Sequence, residues 1–126
     1  MGQILFIDDD TDSLAMYVRA VSLADHQADI ASSANEGWEM IQKKSYDLVF
    51  VDLNIPGVSG FDLLQRIKKD QKTKKIPVIV ISAMPETSLV DDVLEAGAQL
   101  FLEKPVALND LYSVIEKFKG NETKSA

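Results

Sequence analysis

Three short, uninterrupted apolar runs constrain the fold of this chain more than any other feature of its sequence. They cover residues 4–7, 48–51 and 78–81 and contain only Val, Ile, Leu and Phe. Runs of this kind are typical of parallel strands that are buried on both faces. A shorter run over residues 100–102 and a weak strand pattern over residues 28–31 bring the number of candidate strands to five.

Each candidate strand is followed by a segment with apolar residues at helical spacing. The first helix is expected after Thr11, Asp12 and Ser13, which offer candidate caps, and the second is expected to begin at residues 33–36. Five alternations of strand and helix predict a parallel sheet with helices on both faces and right-handed crossovers. We therefore predict a flavodoxin-like α/β fold with five parallel strands in the order 2-1-3-4-5.

Composition limits the classes of function. The chain has 126 residues, of which 46% are hydrophobic, and this fits one globular domain with a sizeable core. Its 13 Lys and Arg against 20 Asp and Glu give a net charge of -7, so we expect no direct nucleic-acid binding by this chain. The basic residues at 72–75 are interpreted as a solvated loop.

The expected cellular compartment is predicted from sequence features that are absent. The chain has no Cys, which excludes disulfides and suits a reducing environment. No signal-peptide pattern precedes the first strand, and the longest apolar run is far shorter than the roughly 20 residues that span a bilayer. We expect a cytoplasmic protein with no membrane contact.

Polar side chains follow the apolar runs at the points where the strands end. They are Asp8 and Asp9, Asp52, Ser82 and Lys104. Because ligands of an open parallel sheet bind outside the carboxyl ends of its strands, these side chains are expected to converge at one edge.

The chemistry of these groups points to phosphoryl transfer. Clustered carboxylates tolerate one another only with a cation or a retained proton, and oxygen-only ligands suit Mg²⁺. A hydroxyl and an ammonium can bind phosphoryl oxygens, and a carboxylate can act as the nucleophile. Asp52 is the candidate nucleophile because it stands alone at its strand end, whereas Asp8 and Asp9 can hold the metal.

In this order and at these spacings, the residues resemble the receiver (CheY-like) domain of two-component response regulators. The motifs are Asp8-Asp9, Asp52 with the loop that runs to Gly60, Ser82-Ala83 and Lys104-Pro105. The resemblance covers nearly the whole chain. It implies a receiver domain over residues 1–119. Residues 120–126 are polar and are expected to form a flexible C-terminal tail.

The resemblance implies an acceptor and a metal site. Asp52 would accept a phosphoryl group from a phosphohistidine on a sensor histidine kinase or a histidine phosphotransfer protein. Asp9, Asp52 and the backbone carbonyl of Asn54 would bind Mg²⁺ directly, and Asp8 would act mainly through a bound water. The module would not be an enzyme in the ordinary sense, although it would assist its own phosphorylation and dephosphorylation.

The resemblance also implies a switch. Ser82, with Ala83 beside it, would move toward the phosphoryl group, Lys104 would pair with that group, and Phe101 would turn inward as Ser82 moves. A downstream effector would then bind the face formed by the fourth helix, fifth strand and fifth helix. The Lys104-Pro105 bond would be cis. The sequence names neither the kinase nor the output.

Two other functions remain open from the residues alone. A phosphohydrolase of the haloacid-dehalogenase type would use Asp8 as its nucleophile, because Asp8-Asp9-Asp10 superficially fits the acid-x-acid motif of that class. A receiver that is never phosphorylated and serves only for docking is the other alternative. Outside the site, Asp10 is interpreted as a helix cap or a solvated acid, and His26 as a surface residue.

Overall fold

The computed structural model of the protein describes residues 3–53, 60–83 and 87–118, with residues 87–89 described by their backbone alone. Strands and helices alternate along the chain. The strands are β1 (Gln3–Ile7), β2 (Gln27–Ala31), β3 (Leu48–Asp52), β4 (Val78–Ser82) and β5 (Leu100–Glu103). The helices are α1 (Thr11–Leu23), α2 (Ala34–Lys43), α3 (Gly60–Lys69), α4 (Thr87–Glu95) and α5 (Leu108–Phe118).

The five strands form one parallel sheet in the order β2-β1-β3-β4-β5, which confirms the predicted topology. The central strands β3 and β4 are buried along their whole length, as their uninterrupted apolar sequences predict. The edge strand β2 is mostly accessible, which accounts for its weak pattern in the sequence.

Two hydrophobic cores lie on opposite faces of the sheet. One is formed with α2, α3 and α4 and contains Leu5 and Ile7 of β1. The other is formed with α1 and α5 and contains Ile4 and Phe6 of the same strand. This division follows from the strand geometry, because successive side chains point to opposite faces. The Phe6 ring stacks on the rings of Tyr17 and Phe50, each at 4.7 Å between centroids.

Two helix starts show how local sequence sets the boundaries. Helix α1 is capped by Asp10, whose side chain accepts hydrogen bonds from the Asp12 N–H at 3.2 Å and the Ser13 hydroxyl at 2.7 Å. The prediction of a cap at Thr11, Asp12 or Ser13 is therefore wrong, and the interpretation of Asp10 as a cap is confirmed. Helix α2 begins where expected, because the Ser33 hydroxyl accepts from the Glu36 N–H.

Two polar residues are more buried than their sequence context suggests. His26 was expected at the surface, but it is only 7% exposed, and its Nε2 lies 4.0 Å from Glu116 of α5. Thr73 is buried within the lysine-rich loop, where its hydroxyl donates to the Ile67 carbonyl at 2.7 Å. The lysines on either side of Thr73 are exposed, as the solvated-loop interpretation requires.

Within the part of the chain that the structure describes, no helix combines the length and the apolar character needed to cross a bilayer.

The network around Asp29 in β2 gives a prediction about stability and pH. The Asp29 carboxylate accepts hydrogen bonds from Lys44 Nζ at 2.8 Å and the Tyr46 hydroxyl at 2.6 Å. These bonds, that of Lys44 first, hold the pKa of Asp29 below its usual value. The carboxylate therefore stabilises the fold above roughly pH 4, and this contribution is lost as pH falls through the lowered folded-state pKa.

Asp29→Asn is expected to lower the free energy of unfolding by about 0.5–1 kcal/mol at neutral pH, since the network is partly exposed. The difference from wild type should shrink below roughly pH 4. Urea unfolding at several pH values measures this difference in the free energy of unfolding. Asp92→Asn, at an exposed position of α4, serves as the control. A difference that grows on acidification would contradict this account.

Candidate functional site

Strand register brings Asp8 and Asp52 to the same point of the sheet edge. In the β1–β3 pair Ile7 lies opposite Val51, so the next residues along both strands are Asp8 and Asp52. Side-chain alternation places both on the face that carries Ile4 and Phe6, under α1 and α5. The two carboxylates are almost fully buried, with exposures of 1% and 3%.

A single ammonium group joins these carboxylates. Lys104 Nζ lies 2.9 Å from Asp8 Oδ2 and 3.0 Å from Asp52 Oδ2. Lys104 follows β5, and the Lys104-Pro105 peptide bond is cis, as the resemblance implies. Three strands that are distant in sequence thus contribute to one cluster of charges.

Burial and mutual repulsion perturb the protonation of these groups. The pKa of the Asp8 carboxyl is raised, chiefly by burial, and the charge of Asp52 adds to the rise although the Asp10 N–H and Lys104 act against it. Burial alone would lower the pKa of Lys104, but its close contacts with the carboxylates of Asp8 and Asp52 outweigh that effect and raise it. The pKa of Tyr17, beneath this cluster, rises to about 12 because of burial and the Asp8 charge.

A third carboxylate completes an oxygen-rich group. Asp8, Asp9 and Asp52 each offer one oxygen, and these oxygens lie within 4.8 Å of one another. Unlike the other two carboxylates, Asp9 is exposed to solvent. Two buried acids and one exposed acid, with no sulfur and no nitrogen ligand in the group, fit a hard divalent ion such as Mg²⁺.

The predicted switch residues occupy different positions relative to this cluster. Ser82 is buried at the end of β4, and its carbonyl accepts a hydrogen bond from the Lys104 N–H at 2.9 Å, so it lies at the same edge. Ala83 is exposed just beyond it. Phe101 of β5 is half-buried against the core on the α2–α4 face. Asn54 lies outside the described residues.

Gly60 has a structural role that the sequence pattern did not identify. A Cβ atom on this first residue of α3 would lie 2.5 Å from the Asp52 carbonyl oxygen and 2.8 Å from Leu53 Cα. The start of α3 therefore packs directly on the backbone of Asp52, at a distance that only glycine permits. In the sequence, the position of Gly60 between a loop and a helix was the observation that could have indicated this role.

An open cleft of about 500 Å³ adjoins the charged cluster. Its lining is largely apolar and includes Met16 of α1, Ala83, Lys104, Pro105 and Val106. Two acidic residues, Asp10 and Asp12, also line it.

Comparisons with known sequences identify a family. Residues 4–116 match the family described as the response regulator receiver domain. The chain is 31% identical over 108 residues to the phosphate regulon transcriptional regulatory protein PhoB of Pseudomonas aeruginosa. This alignment covers 86% of this chain and 47% of that protein. It is 34% identical over 114 residues to the DNA-binding transcriptional regulator NtrC of a Bradyrhizobium species, covering 90% of this chain and 23% of that protein. The chain spans less than half the length of either relative.

Solved structures with the same fold cover the entire chain. A response regulator receiver domain protein from Clostridium thermocellum is 27% identical with a TM-score of 0.90, over 100% of both chains. A CheY-like receiver domain protein from Methanospirillum hungatei is 25% identical with a TM-score of 0.91, over 100% of this chain and 99% of that one.

The Lys104 bridge can be tested through stability and metal. Lys104→Met leaves the buried carboxylates of Asp8 and Asp52 without their shared cation, so we expect a loss of about 3 kcal/mol in the free energy of unfolding at pH 7. Mg²⁺ should restore most of this loss because it supplies positive charge to the same oxygens. The loss should also shrink on acidification, since protonated carboxyls no longer repel and the Asp8 pKa is already raised.

Urea unfolding with and without Mg²⁺ measures both effects, and Lys75→Met, at an exposed position, is the matched control. If Lys104→Met is as stable as wild type in metal-free buffer, the bridge does not hold the carboxylates together.

Proposed function

The chain belongs to the response regulator receiver domain family, and on this basis we propose that it is a phosphorylatable switch whose acceptor is Asp52. The observation that carries the proposal is the shared contact of two buried carboxylates with one lysine ammonium, beside a third carboxylate. Such an edge has a nucleophile, a position for a divalent cation and a group that can neutralise phosphoryl charge.

The contacts of Asp8 support a role for this residue in holding a cation, which leaves the role of nucleophile to Asp52 in the proposal. Both oxygens of Asp8 are engaged, because Oδ1 accepts from the Asp10 N–H at 2.9 Å and Oδ2 pairs with Lys104. These contacts hold the Asp8 carboxylate in place, which supports its proposed role beside a cation. The backbone of Asp52, the proposed acceptor, packs closely against Gly60 at the start of α3.

In the proposed reaction, a carboxylate oxygen of Asp52 attacks the phosphorus of a phosphohistidine on a histidine kinase or phosphotransfer protein. A new O–P bond forms, the N–P bond breaks, and the imidazole of the partner leaves. Lys104, already 3.0 Å from Asp52 Oδ2, stays beside the acceptor and pairs with the transferred group. The Ser82 hydroxyl donates to another phosphoryl oxygen.

Asp8, Asp9 and Asp52 would hold Mg²⁺, together with the backbone carbonyl of Asn54. When bound, the ion offsets the negative charge of the phosphoryl oxygens during transfer. The chain's own contribution is the arrangement of its carboxylates, of which Asp8 and Asp52 are aligned by the β1–β3 register.

The proposed role is signalling rather than turnover of a metabolite. The receiver domain would span residues 1–119, assist its own phosphorylation and dephosphorylation, and act in the cytoplasm without contacting nucleic acid. On phosphorylation it would change its binding to an effector protein or domain through α4, β5 and α5. Leu94 of α4 and Leu108 of α5 are exposed, which supports a contact surface there.

The acceptor assignment can be tested with a small phosphodonor. Wild type incubated with acetyl phosphate and Mg²⁺ is expected to gain the mass of one phosphoryl group, and Asp52→Asn is expected to gain none. Asp8→Asn should still be phosphorylated, more slowly, because it weakens the metal site but keeps the nucleophile. Intact-mass spectrometry measures the gain, with Asp92→Asn as the control.

If Asp8→Asn gains no phosphoryl mass while Asp52→Asn still does, the nucleophile is Asp8, as in a haloacid-dehalogenase-like enzyme. That result would overturn the assignment of Asp52 as the acceptor. No mass gain in wild type would favour a receiver that only docks.

The switch can be tested through the Phe101 ring. In protein labelled with fluorophenylalanine, the ¹⁹F resonance of Phe101 is expected to shift on phosphorylation in wild type and to stay in place in phosphorylated Ser82→Ala. The reason is that Ser82 would have to move toward the phosphoryl group before the ring turns inward.

Phe101→Leu assigns the resonance among those of the 5 Phe residues. An identical shift in wild type and in Ser82→Ala would show that the ring does not depend on Ser82.

A further inference from the structure

Positive charge is concentrated at the end of the molecule opposite the carboxylate cluster. Of the 13 Lys and Arg residues, six lie between Arg66 and Lys75, where Asp70 is the only acid. Two more, Lys43 and Lys44, lie at the end of α2. We call this set of eight residues the basic end. It lies where α2 and α3 end, whereas Asp8, Asp9 and Asp52 lie where the strands end.

A cleft opens within the basic end. It has a volume of about 300 Å³ and lies between the residues after α2 and the loop from α3 to β4. Lys43, Lys44 and Lys72 line it, together with Tyr46 and Thr73. The Lys44 ammonium pairs with Asp29, whereas the exposed side chains of Lys43 and Lys72 bring further positive charge to the opening.

Helix ends explain only part of this charge. Lys43 lies in the last turn of α2, and Arg66, Lys68 and Lys69 lie in the last turn of α3, where cations interact favourably with the helix dipole. Lys68 also has a structural role, because its Nζ donates to the carbonyls of Lys74 and Ile76. The dipole effect does not extend to the exposed lysines at positions 72, 74 and 75, which lie beyond the helix.

The cleft is not shaped as a cradle for a small anion. Its buried hydroxyls already donate elsewhere, since Thr73 donates to the Ile67 carbonyl and Tyr46 donates to Asp29. The Lys72 N–H is likewise used by Asp70. The charged donors at the opening are lysine ammoniums on long, flexible side chains, which suit scattered carboxylates.

We propose that the basic end, with its cleft, is a docking surface for an acidic segment of a partner polypeptide. The reason is charge complementarity. A short acidic segment that fits this surface interacts electrostatically mainly with the lysines, because charges beyond a Debye length of about 8 Å are screened. Duplex DNA or a membrane extends further and meets the rest of a chain whose net charge is -7. The large hydrophobic side chains that are exposed among the described residues also lie elsewhere, so the surface lacks membrane anchors.

The test uses a fluorescein-labelled oligoglutamate peptide and the full chain at physiological salt. Fluorescence anisotropy compares wild type with the double variant Lys43→Glu/Lys72→Glu. The matched control, Arg19→Glu/Lys117→Glu, has the same net charge and alters exposed residues outside the basic end. All four positions are exposed, and circular dichroism verifies that each variant is folded.

Wild type and the control are expected to bind the peptide with dissociation constants that agree within about threefold, and the cleft variant to bind about tenfold more weakly or worse. Equal weakening of both variants would show that net charge alone matters and would overturn the proposal, as would no measurable binding by wild type. Duplex DNA and vesicles containing phosphatidylserine are tested under the same conditions. Tighter binding of either one, abolished in the cleft variant, would assign the surface to that polyanion instead.

Discussion

Asp8 and Asp52 lie side by side at the carboxyl edge of the sheet, and both contact the Lys104 ammonium, at 2.9 and 3.0 Å. Two buried carboxylates repel strongly while both are ionised, so positive charge between them stabilises the edge. This interaction links β1, β3 and the end of β5. Adding a phosphoryl group to Asp52 would increase the negative charge at that point and redistribute the contacts of Lys104. Because the Lys104 N–H also bonds the Ser82 carbonyl, the change would reach the end of β4.

The fold and the convergence at the site could be predicted because both follow from patterns that are local in sequence. Apolar runs define buried strands, and a parallel sheet brings the carboxyl ends of its strands to one edge, whatever their separation along the chain. The structure accordingly places Asp8, Asp9, Asp52 and Lys104 together. It cannot be deduced from strand patterns that Asp8 is engaged at both oxygens, because that depends on the backbone of Asp10.

Other features depend on packing between distant elements, and the sequence did not reveal them. The burial of His26 requires α5 to pack near the turn between α1 and β2, with Glu116 at 4.0 Å. The role of Gly60 requires α3 to begin against the carbonyl of Asp52. The lysine-rich loop was correctly interpreted as solvated, but its proximity to the end of α2 appears only when the two loops form one cleft.

The most direct test of the central claim is a crystal structure of the protein with Mg²⁺ and beryllium trifluoride, which mimics an acyl phosphate. The account predicts the beryllium on a carboxylate oxygen of Asp52, with Lys104 Nζ and the Ser82 hydroxyl on its fluorides and Mg²⁺ among Asp8, Asp9 and Asp52. A beryllium bound to Asp8, or a complex that leaves the Lys104 bridge to both carboxylates unchanged, would contradict it.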